Sequence, residues 1–189
     1  HKGKDAGLTT HQIYDKLGYP RLAERYGVEL LDLMEQDFEE VQVEDFAFQV
    51  ARPALQADFL INAPVLKTHN KTTITSALKN QWGCLESLRH NFHPVLPQAL
   101  TDVNTLVRPR FAVMDGTVGL EGNGPKSGIP KEVGVVLASA DLVGLDACAA
   151  RVMGFEPAQI EFLTLAASHG LGTLDPELAP GSLSPDEVC

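Results

Sequence analysis

Apolar and polar residues alternate in a way that divides the chain into short strands and helices. Three runs are apolar on both faces, which is typical of strands buried in a parallel sheet: DFLINAPVL (58–66), RFAVMDG (110–116) and VGVVLASAD (133–141). Two helical patterns, TTITSALKNQWG (72–83) and DLVGLDACAARVMG (141–154), each end at a glycine. Strand and helix in repeated succession predict an α/β fold, with a mostly parallel sheet and helices on both faces.

The first 56 residues are more polar and predict smaller elements. The segment HQIYDKLGYPRLAERYG (11–27) predicts two short helices separated by a Gly-Tyr-Pro break, and VELLDL (28–33) and VEDFAFQV (43–50) predict strands. We expect residues 1–172 to form a single α/β domain that lacks an upstream segment. Residues 173–189 are acidic and rich in proline and glycine, which predicts a C-terminal surface extension.

Composition narrows the classes of protein to consider. The 189 residues are 44% hydrophobic, with no apolar run long enough to span a membrane, and their net charge of −10 disfavours nucleic acid as a partner. The opening residues do not form a signal peptide. The three cysteines, Cys84, Cys148 and Cys189, are far apart and form no C-x-x-C motif. We therefore expect reduced thiols, a cytoplasmic location and no iron–sulfur cluster within this chain.

One segment reverses the sign of the overall charge. Residues 59–101 carry a net charge of +3, which leaves −13 for the rest of the chain. Lys67 and His69 follow a predicted strand, at the edge where α/β sheets bind ligands. Thr72 and Lys79 are predicted on the polar face of the next helix. This arrangement predicts an anion-binding site, and a solvated helix face is the alternative. Lys79, beside a tryptophan, is also a candidate nucleophile or base.

A second group of candidates follows the strand that ends at Asp115. The loop beyond it carries Glu121, Gly122 and Gly124, and glycines let backbone amides approach a ligand closely. The two carboxylates predict binding of a hard cation or acid–base chemistry, and an ordinary surface loop is the alternative. The loop matches neither nucleotide-binding glycine motif.

The remaining polar residues have simpler interpretations. Asp141 is predicted to cap a helix, and Asp146 on its inward face is predicted to be satisfied by structural partners. His90 and His93 have the H-x-x-H spacing, but zinc needs three or four ligands. A metal role for this pair therefore requires completion in space by His69, Asp115 or Glu121.

Several of these motifs, in this order, resemble the domain of unknown function 362 family. They are ADFLINAPVLKTH, TSALKNQWGCL, MDGTVGLEGNGP, LASADLVGLDACAARVMG and HGLG, which together span residues from about Asp58 to Gly172. The resemblance implies that the motif positions of the family are, in this sequence, Lys67, His69, Lys79, Asn80, Gly83, Asp115, Glu121, Gly122, Gly124, Pro125, Asp141 and Asp146.

The resemblance also implies an α/β protein of bacterial or archaeal cytoplasm, often associated with ferredoxin-type iron–sulfur modules. From it and the residues we expect a domain that binds an anionic small molecule or a metal-containing cofactor. Lys79, Asp115 and Glu121 are the candidate catalytic residues, and the candidate anion-binding residues are Lys67, His69, Thr72, Asn80, Gly122 and Gly124. The alternative is a non-catalytic partner or assembly domain, with a homo-oligomer or a ferredoxin-type protein as its partner. Whether the domain is an enzyme, and its cofactor and metal, are left open by the sequence.

Overall fold

The computed structural model describes residues 8–188, which divide into two units. The first unit contains the described residues up to Gln56 together with Gly83–Arg89. The second unit contains Ala57–Trp82 and the described residues from His90 onwards. The single domain of residues 1–172 and the extension of residues 173–189 stay predictions. Residues 1–7 and Cys189 lie outside the described residues.

The first unit consists of short helices and one β-hairpin. The two predicted helices are confirmed, and Gly27 ends the second with a φ of 63°. The strand predicted over residues 28–33 is wrong. The Asp32 side chain instead accepts a hydrogen bond from the Met34 N–H and begins a 3-10 helix, Leu33–Glu35. The elements of this unit are α1 (Thr10–Leu17), α2 (Tyr19–Tyr26), β1 (Phe38–Val43), β2 (Phe46–Ala51) and α3 (Arg52–Gln56).

The second unit is built on a five-stranded mixed sheet. Its strands are β3 (Ile61–Asn62), β4 (Val65–His69), β5 (Thr73–Thr75), β6 (Phe111–Asn123) and β7 (Ser127–Ser139). The single strand predicted at residues 58–66 is instead two short strands, β3 and β4, and Lys67 and His69 lie within β4 and not beyond a strand end. Both strands pair in parallel with β6, as predicted, and β5 pairs antiparallel with β4. The prediction of a parallel strand at residues 133–141 is wrong, because β7 returns antiparallel to β6 after a turn of three residues.

Helices complete the second unit and confirm the α/β class. They are α4 (Ala77–Asn80), α5 (Leu96–Leu106), α6 (Leu142–Val152) and α7 (Glu161–Ser168), with 3-10 helices at Pro157–Gln159 and Pro185–Glu187. Two further 3-10 helices, Gln81–Cys84 and Ser87–Val95, each contain residues of both units. Helix α6 contacts β6 and β7, and Ala112 and Met114 of β6 are fully buried. On the opposite face of the sheet Ile61, Val65 and Val113 are exposed. Helix cover of that face stays a prediction.

The helix predicted over residues 72–83 is wrong in its first half. The β-branched run Thr72–Thr75 favours an extended backbone, and Thr73–Thr75 pair with β4 as β5. A helix forms only over Ala77–Asn80. The single helix face on which we expected Thr72 and Lys79 to project together therefore does not exist.

Candidate functional site

A fully buried carboxylate holds the short helix that carries Lys79. Asp146 of α6 is 0% exposed, and its two oxygens accept hydrogen bonds from the backbone N–H groups of Ala77 and Leu78, at 2.6 and 2.9 Å. Burial raises the pKa of Asp146 to about 7, against the lowering effect of these two bonds. The structural role predicted for Asp146 is confirmed. Asp141 likewise caps α6, since it accepts a hydrogen bond from the Gly144 N–H at 2.8 Å.

Asparagines from two other elements hold the carbonyl groups of the same helix. The side-chain amide of Asn62 on β3 donates to the carbonyl of Ala77 at 2.8 Å, and that of Asn104 on α5 donates to the carbonyl of Leu78 at 3.0 Å. Asn80, the last residue of α4, donates a hydrogen bond from its side-chain amide to Oδ1 of Asn62 at 2.7 Å. Asn80, a predicted anion-binding residue, therefore contributes to the support of α4.

The Lys79 side chain is itself largely buried. It is 8% exposed, and its Nζ lies 5.9 Å from the centroid of the Trp82 ring, within the range of a cation–π interaction. Burial lowers the conformational freedom of a lysine and strengthens electrostatic interactions around its charge. A helix one turn long, held from three elements, thus presents a confined positive charge.

Strand β4 places further basic groups in the same region. Lys67 and His69 alternate with Leu66, which is 1% exposed, so they project from the opposite face of the strand. Burial lowers the pKa of Lys67. Burial, and then the charges of Lys79, His93, Lys67 and Lys71, lower the pKa of His69 to about 4. We call these five residues, Lys67, His69, Lys71, Lys79 and His93, the basic cluster.

The sequence reasoning placed Lys71 and His93 outside the candidate site. His93 lies in the 3-10 helix Ser87–Val95, and one of its ring nitrogens is 3.3 Å from a ring nitrogen of His90. Burial, and then His90, Lys71 and Lys79, lower its pKa. One feature of the sequence could have indicated that these two residues belong to the site: residues 59–101 contain a single acid, Glu86. Within residues 8–188 no group of three or more His, Cys, Asp or Glu side chains is placed to bind a metal ion, so the H-x-x-H pair is not completed there.

The two acidic candidates engage other partners. Asp115 is exposed, and its Oδ1 accepts hydrogen bonds from the backbone N–H and the hydroxyl of Thr117, which lower its pKa. Glu121 lies 3.5 Å from the ammonium of Lys131 on β7. Neither acid is among the charges that act on His69. In the sheet register, Asp115 is instead opposite Val65, two residues before Lys67.

The glycine loop lies directly against the end of β4. The Thr68 hydroxyl donates to the carbonyl of Gly122 at 2.9 Å, and the Asn70 N–H donates to the carbonyl of Gly124 at 3.0 Å. A Cβ at Gly124 would overlap the Thr68 carbonyl, so the close approach requires glycine. The loop and the strand that carries Lys67 and His69 are therefore brought together. Thr72 is buried, and its hydroxyl donates to the carbonyl of Ile74 at 2.9 Å.

Buried polar groups on both sides of Lys79 have no hydrogen-bond partner in the described part of the chain. They are the hydroxyls of Thr75 and Ser76, the amide nitrogen of Gln81 and the indole nitrogen of Trp82. All four residues are less than 10% exposed. Buried polar groups without partners cost free energy and are rare in native proteins, and binding sites are one place where they are found.

A cavity of about 450 Å³ lies between β7, α6 and the C-terminal segment. Its lining is mainly apolar, with Leu137, Leu145, Cys148 and Leu178 among the contributing residues. No member of the basic cluster lines it. It is therefore separate from the candidate anion site.

These features define an α/β protein whose basic residues gather where β4 and a one-turn helix meet. The family model described as "Domain of unknown function (DUF362)" matches residues 3–151, and the chain belongs to this family. It is also 33% identical over 139 residues to the thylakoid-associated protein sll1697 of Synechocystis sp., a match that covers 69% of this chain and 42% of the relative. The match thus spans less than half the length of that relative. No solved structure matches the chain significantly. Among the described residues, no helix has the length and apolar character needed to cross a membrane.

Proposed function

We propose that the second unit binds an anionic small molecule or an anionic, metal-containing cofactor through Lys67, His69 and Lys79. One observation carries the proposal: within residues 8–188, the charged groups that act on His69 are the basic side chains of Lys67, Lys71, Lys79 and His93. Such a concentration of positive charge in an acidic protein attracts anions and opposes the binding of cations. The buried, partnerless hydroxyls of Thr75 and Ser76 supply further donors next to Lys79.

The other candidate residues have proposed roles around this centre. The carbonyls of Gly122 and Gly124 accept hydrogen bonds from the end of β4 and so fix its position. The hydrogen bond of Thr72 fixes the segment before Lys79, and that of Asn80 fixes the segment after it. Lys79 is the proposed group that stabilises negative charge in any reaction of the ligand. A lowered pKa makes a carboxylate a weaker base, so Asp115 suits an electrostatic or metal-binding role better than proton removal. Glu121 is the proposed proton-transfer group.

The direct test is native mass spectrometry and metal analysis of the protein purified without added ligand. We expect an anionic adduct on the wild type that is lost in Lys79→Met, a substitution that keeps the length of the side chain and removes its charge. The matched control is Lys131→Met, because Lys131 is exposed and lies beside Glu121. Loss of the adduct in both variants, or retention in both, would contradict the proposal.

A specific observation favours a second candidate, a non-catalytic partner domain. Val65 and Val113, in neighbouring strands, share the outward face of the sheet, and Val136 of β7 lies opposite Asp115 on the same face. These three valines are 42%, 38% and 63% exposed. Clusters of exposed apolar side chains mark protein interfaces.

For this second candidate, we propose a cytoplasmic domain that meets another copy of the chain or a ferredoxin-type protein. The name of the Synechocystis relative adds association with the thylakoid as a further context. Analytical ultracentrifugation with and without a reduced ferredoxin tests it, with Val136→Lys as the disrupting variant. A monomer that binds no ferredoxin would exclude this candidate.

A further inference from the structure

The hydrogen bond at Nδ1 of His69 fixes the position of its ring proton. The backbone N–H of Lys71 lies 3.0 Å from Nδ1. A backbone N–H can only donate, so Nδ1 is the acceptor and carries no proton. In a neutral imidazole the proton is then on Nε2, which becomes a hydrogen-bond donor.

The surroundings of His69 keep its imidazole neutral. The charged groups that act on it come from several elements: Lys67 from β4, Lys71 from the turn to β5, Lys79 from α4 and His93 from the 3-10 helix Ser87–Val95. All are basic, so each opposes a positive charge on the ring. Burial acts in the same direction. His69 is therefore an uncharged donor in a positively charged site.

We propose that His69 donates from Nε2 to the bound ligand as a fixed, neutral hydrogen-bond donor, and that the bound group is an oxyanion with two or more negative charges, of the phosphate-monoester or pyrophosphate class. This inference rests on the function proposed above. Lys67, Lys71 and Lys79 bring three positive charges to the cluster, and the groups of the described residues that act on the pKa of His69 include no carboxylate. A multiply charged oxyanion balances these charges better than a monocarboxylate, and lysine is a common phosphate-binding residue.

The tautomer also excludes a proton-accepting role for His69 in this arrangement. Nδ1 is engaged by Lys71, and Nε2 already carries a proton. A glutamine can place an amide N–H near the position of Nε2, whereas an alanine cannot. The two substitutions at His69 therefore separate donation of a hydrogen bond from proton transfer.

The first test is the tautomer itself, measured by long-range ¹H–¹⁵N spectroscopy of the histidine rings, with His69→Gln to assign the signal. We expect the Nε2–H form throughout the range of about pH 5 to 8, with and without inorganic pyrophosphate. An Nδ1–H form, or a titration midpoint near the usual value of 6.5, would overturn the role of His69 and leave the proposed anion site intact.

The second test is calorimetric titration with pyrophosphate and with acetate at equal ionic strength. We expect pyrophosphate to bind more tightly than acetate, His69→Ala to weaken pyrophosphate about tenfold, and His69→Gln to weaken it by less than about threefold. Equal losses in both variants would overturn the donor role alone. Equal affinity for the two anions would overturn the ligand class. A wild type that binds neither anion would overturn the proposed function together with this inference.

Discussion

Residues 76–80, which carry Lys79, and the far end of the β6–β7 hairpin, which carries Glu121, are held in contrasting ways. Residues 76–79 are buried, and the backbone groups of Ala77 and Leu78 form hydrogen bonds with side chains of β3, α5 and α6. The second is exposed, and its acid Glu121 pairs with Lys131 on the adjacent strand of the same hairpin. A charge held from three elements is preorganised for binding, while a surface ion pair contributes little and rearranges at low cost.

Two aspartates show the same contrast in their pKa values. Burial raises the pKa of Asp146 to about 7, whereas hydrogen bonds from Thr117 lower the pKa of exposed Asp115. Asp146 uses both oxygens to accept backbone N–H groups, and Asp115 uses one oxygen for both of its bonds. The same residue type therefore supports the fold at one position and is exposed on the surface at the other.

The largest expected effect is on stability, from Asp146→Asn. An asparagine presents an NH₂ group to one of the two backbone donors, so one buried hydrogen bond is lost and two donors face each other. We expect a loss of about 2–3 kcal/mol in the free energy of unfolding, measured by urea denaturation. Asp115→Asn is the matched control: its carbonyl still accepts both Thr117 bonds, and we expect a change within about 0.5 kcal/mol. Equal losses would contradict the comparison.

The next effect is on ligand binding, from Lys79→Met. Removal of a buried charge from the basic cluster should weaken pyrophosphate about 30-fold, or about 2 kcal/mol, because bonds to charged groups are worth about 1.5–3 kcal/mol. Calorimetric titration measures the change. Lys131→Met at the hairpin should leave the affinity unchanged, and a comparable loss there would mean that the ligand binds to the acidic region.

A smaller effect is expected where the loop between β6 and β7 meets the end of β4. In Gly124→Ala the new Cβ would overlap the Thr68 carbonyl, so the loop must move away from the end of β4. We expect a loss of about 1–3 kcal/mol, measured as a lower thermal midpoint. Gly83→Ala is the control, because a Cβ there meets nothing within 4 Å and its φ needs no glycine. A neutral Gly124→Ala would show that the contact is not required.

The smallest effect is the dependence of stability on pH. The pKa of Asp146 is raised from 3.8 to about 7, so its contribution is complete below pH 3.8 and is lost as the pH rises through 7. The pKa of His69 is lowered from 6.5 to about 4, so its contribution is complete above pH 6.5 and is lost as the pH falls through 4. Between pH 4 and 6.5, the contribution of Asp146 to stability falls as the pH rises, while that of His69 increases.

Urea denaturation across this pH range tests the two signs. In His69→Gln we expect stability to fall more steeply than in the wild type as the pH rises. In Asp146→Asn we expect it to rise with pH. The same slope in both variants would contradict these assignments.

The sequence predicted the elements that depend on local signals and missed those that depend on pairing. The cap at Asp141 and the two short helices of residues 11–27 depend on neighbouring residues, and both predictions are confirmed. The pattern over residues 72–83 predicted a helix, and its apolar residues Ile74, Leu78 and Trp82 are buried. Pairing with β4 converted the first part of that segment to β5, and a 3.6-residue period cannot show this. Asp146 accepts hydrogen bonds from Ala77 and Leu78 because α6 packs on α4. The two helices are far apart in the sequence, so no local pattern predicts these bonds.

The candidate site itself stays a prediction, and only the placement of its residues can be compared with the sequence. Lys67 and His69 lie on one strand, and the charge of Lys79, which follows the paired strands β4 and β5, acts on His69. Lys71 and His93 were missed as members of the cluster because their proximity depends on the turn after β4 and on a 3-10 helix. The tautomer of His69 depends on one backbone N–H, which no sequence pattern identifies.

The most direct test of the basic cluster as an anion site is a crystal structure of the wild-type protein soaked with pyrophosphate. We predict pyrophosphate density within hydrogen-bond distance of Lys79 Nζ and His69 Nε2, and no such density in Lys79→Met crystals soaked in the same way. Density confined to the hairpin around Lys131, or ordered Lys79 and His69 side chains with no ligand density between them, would contradict the account.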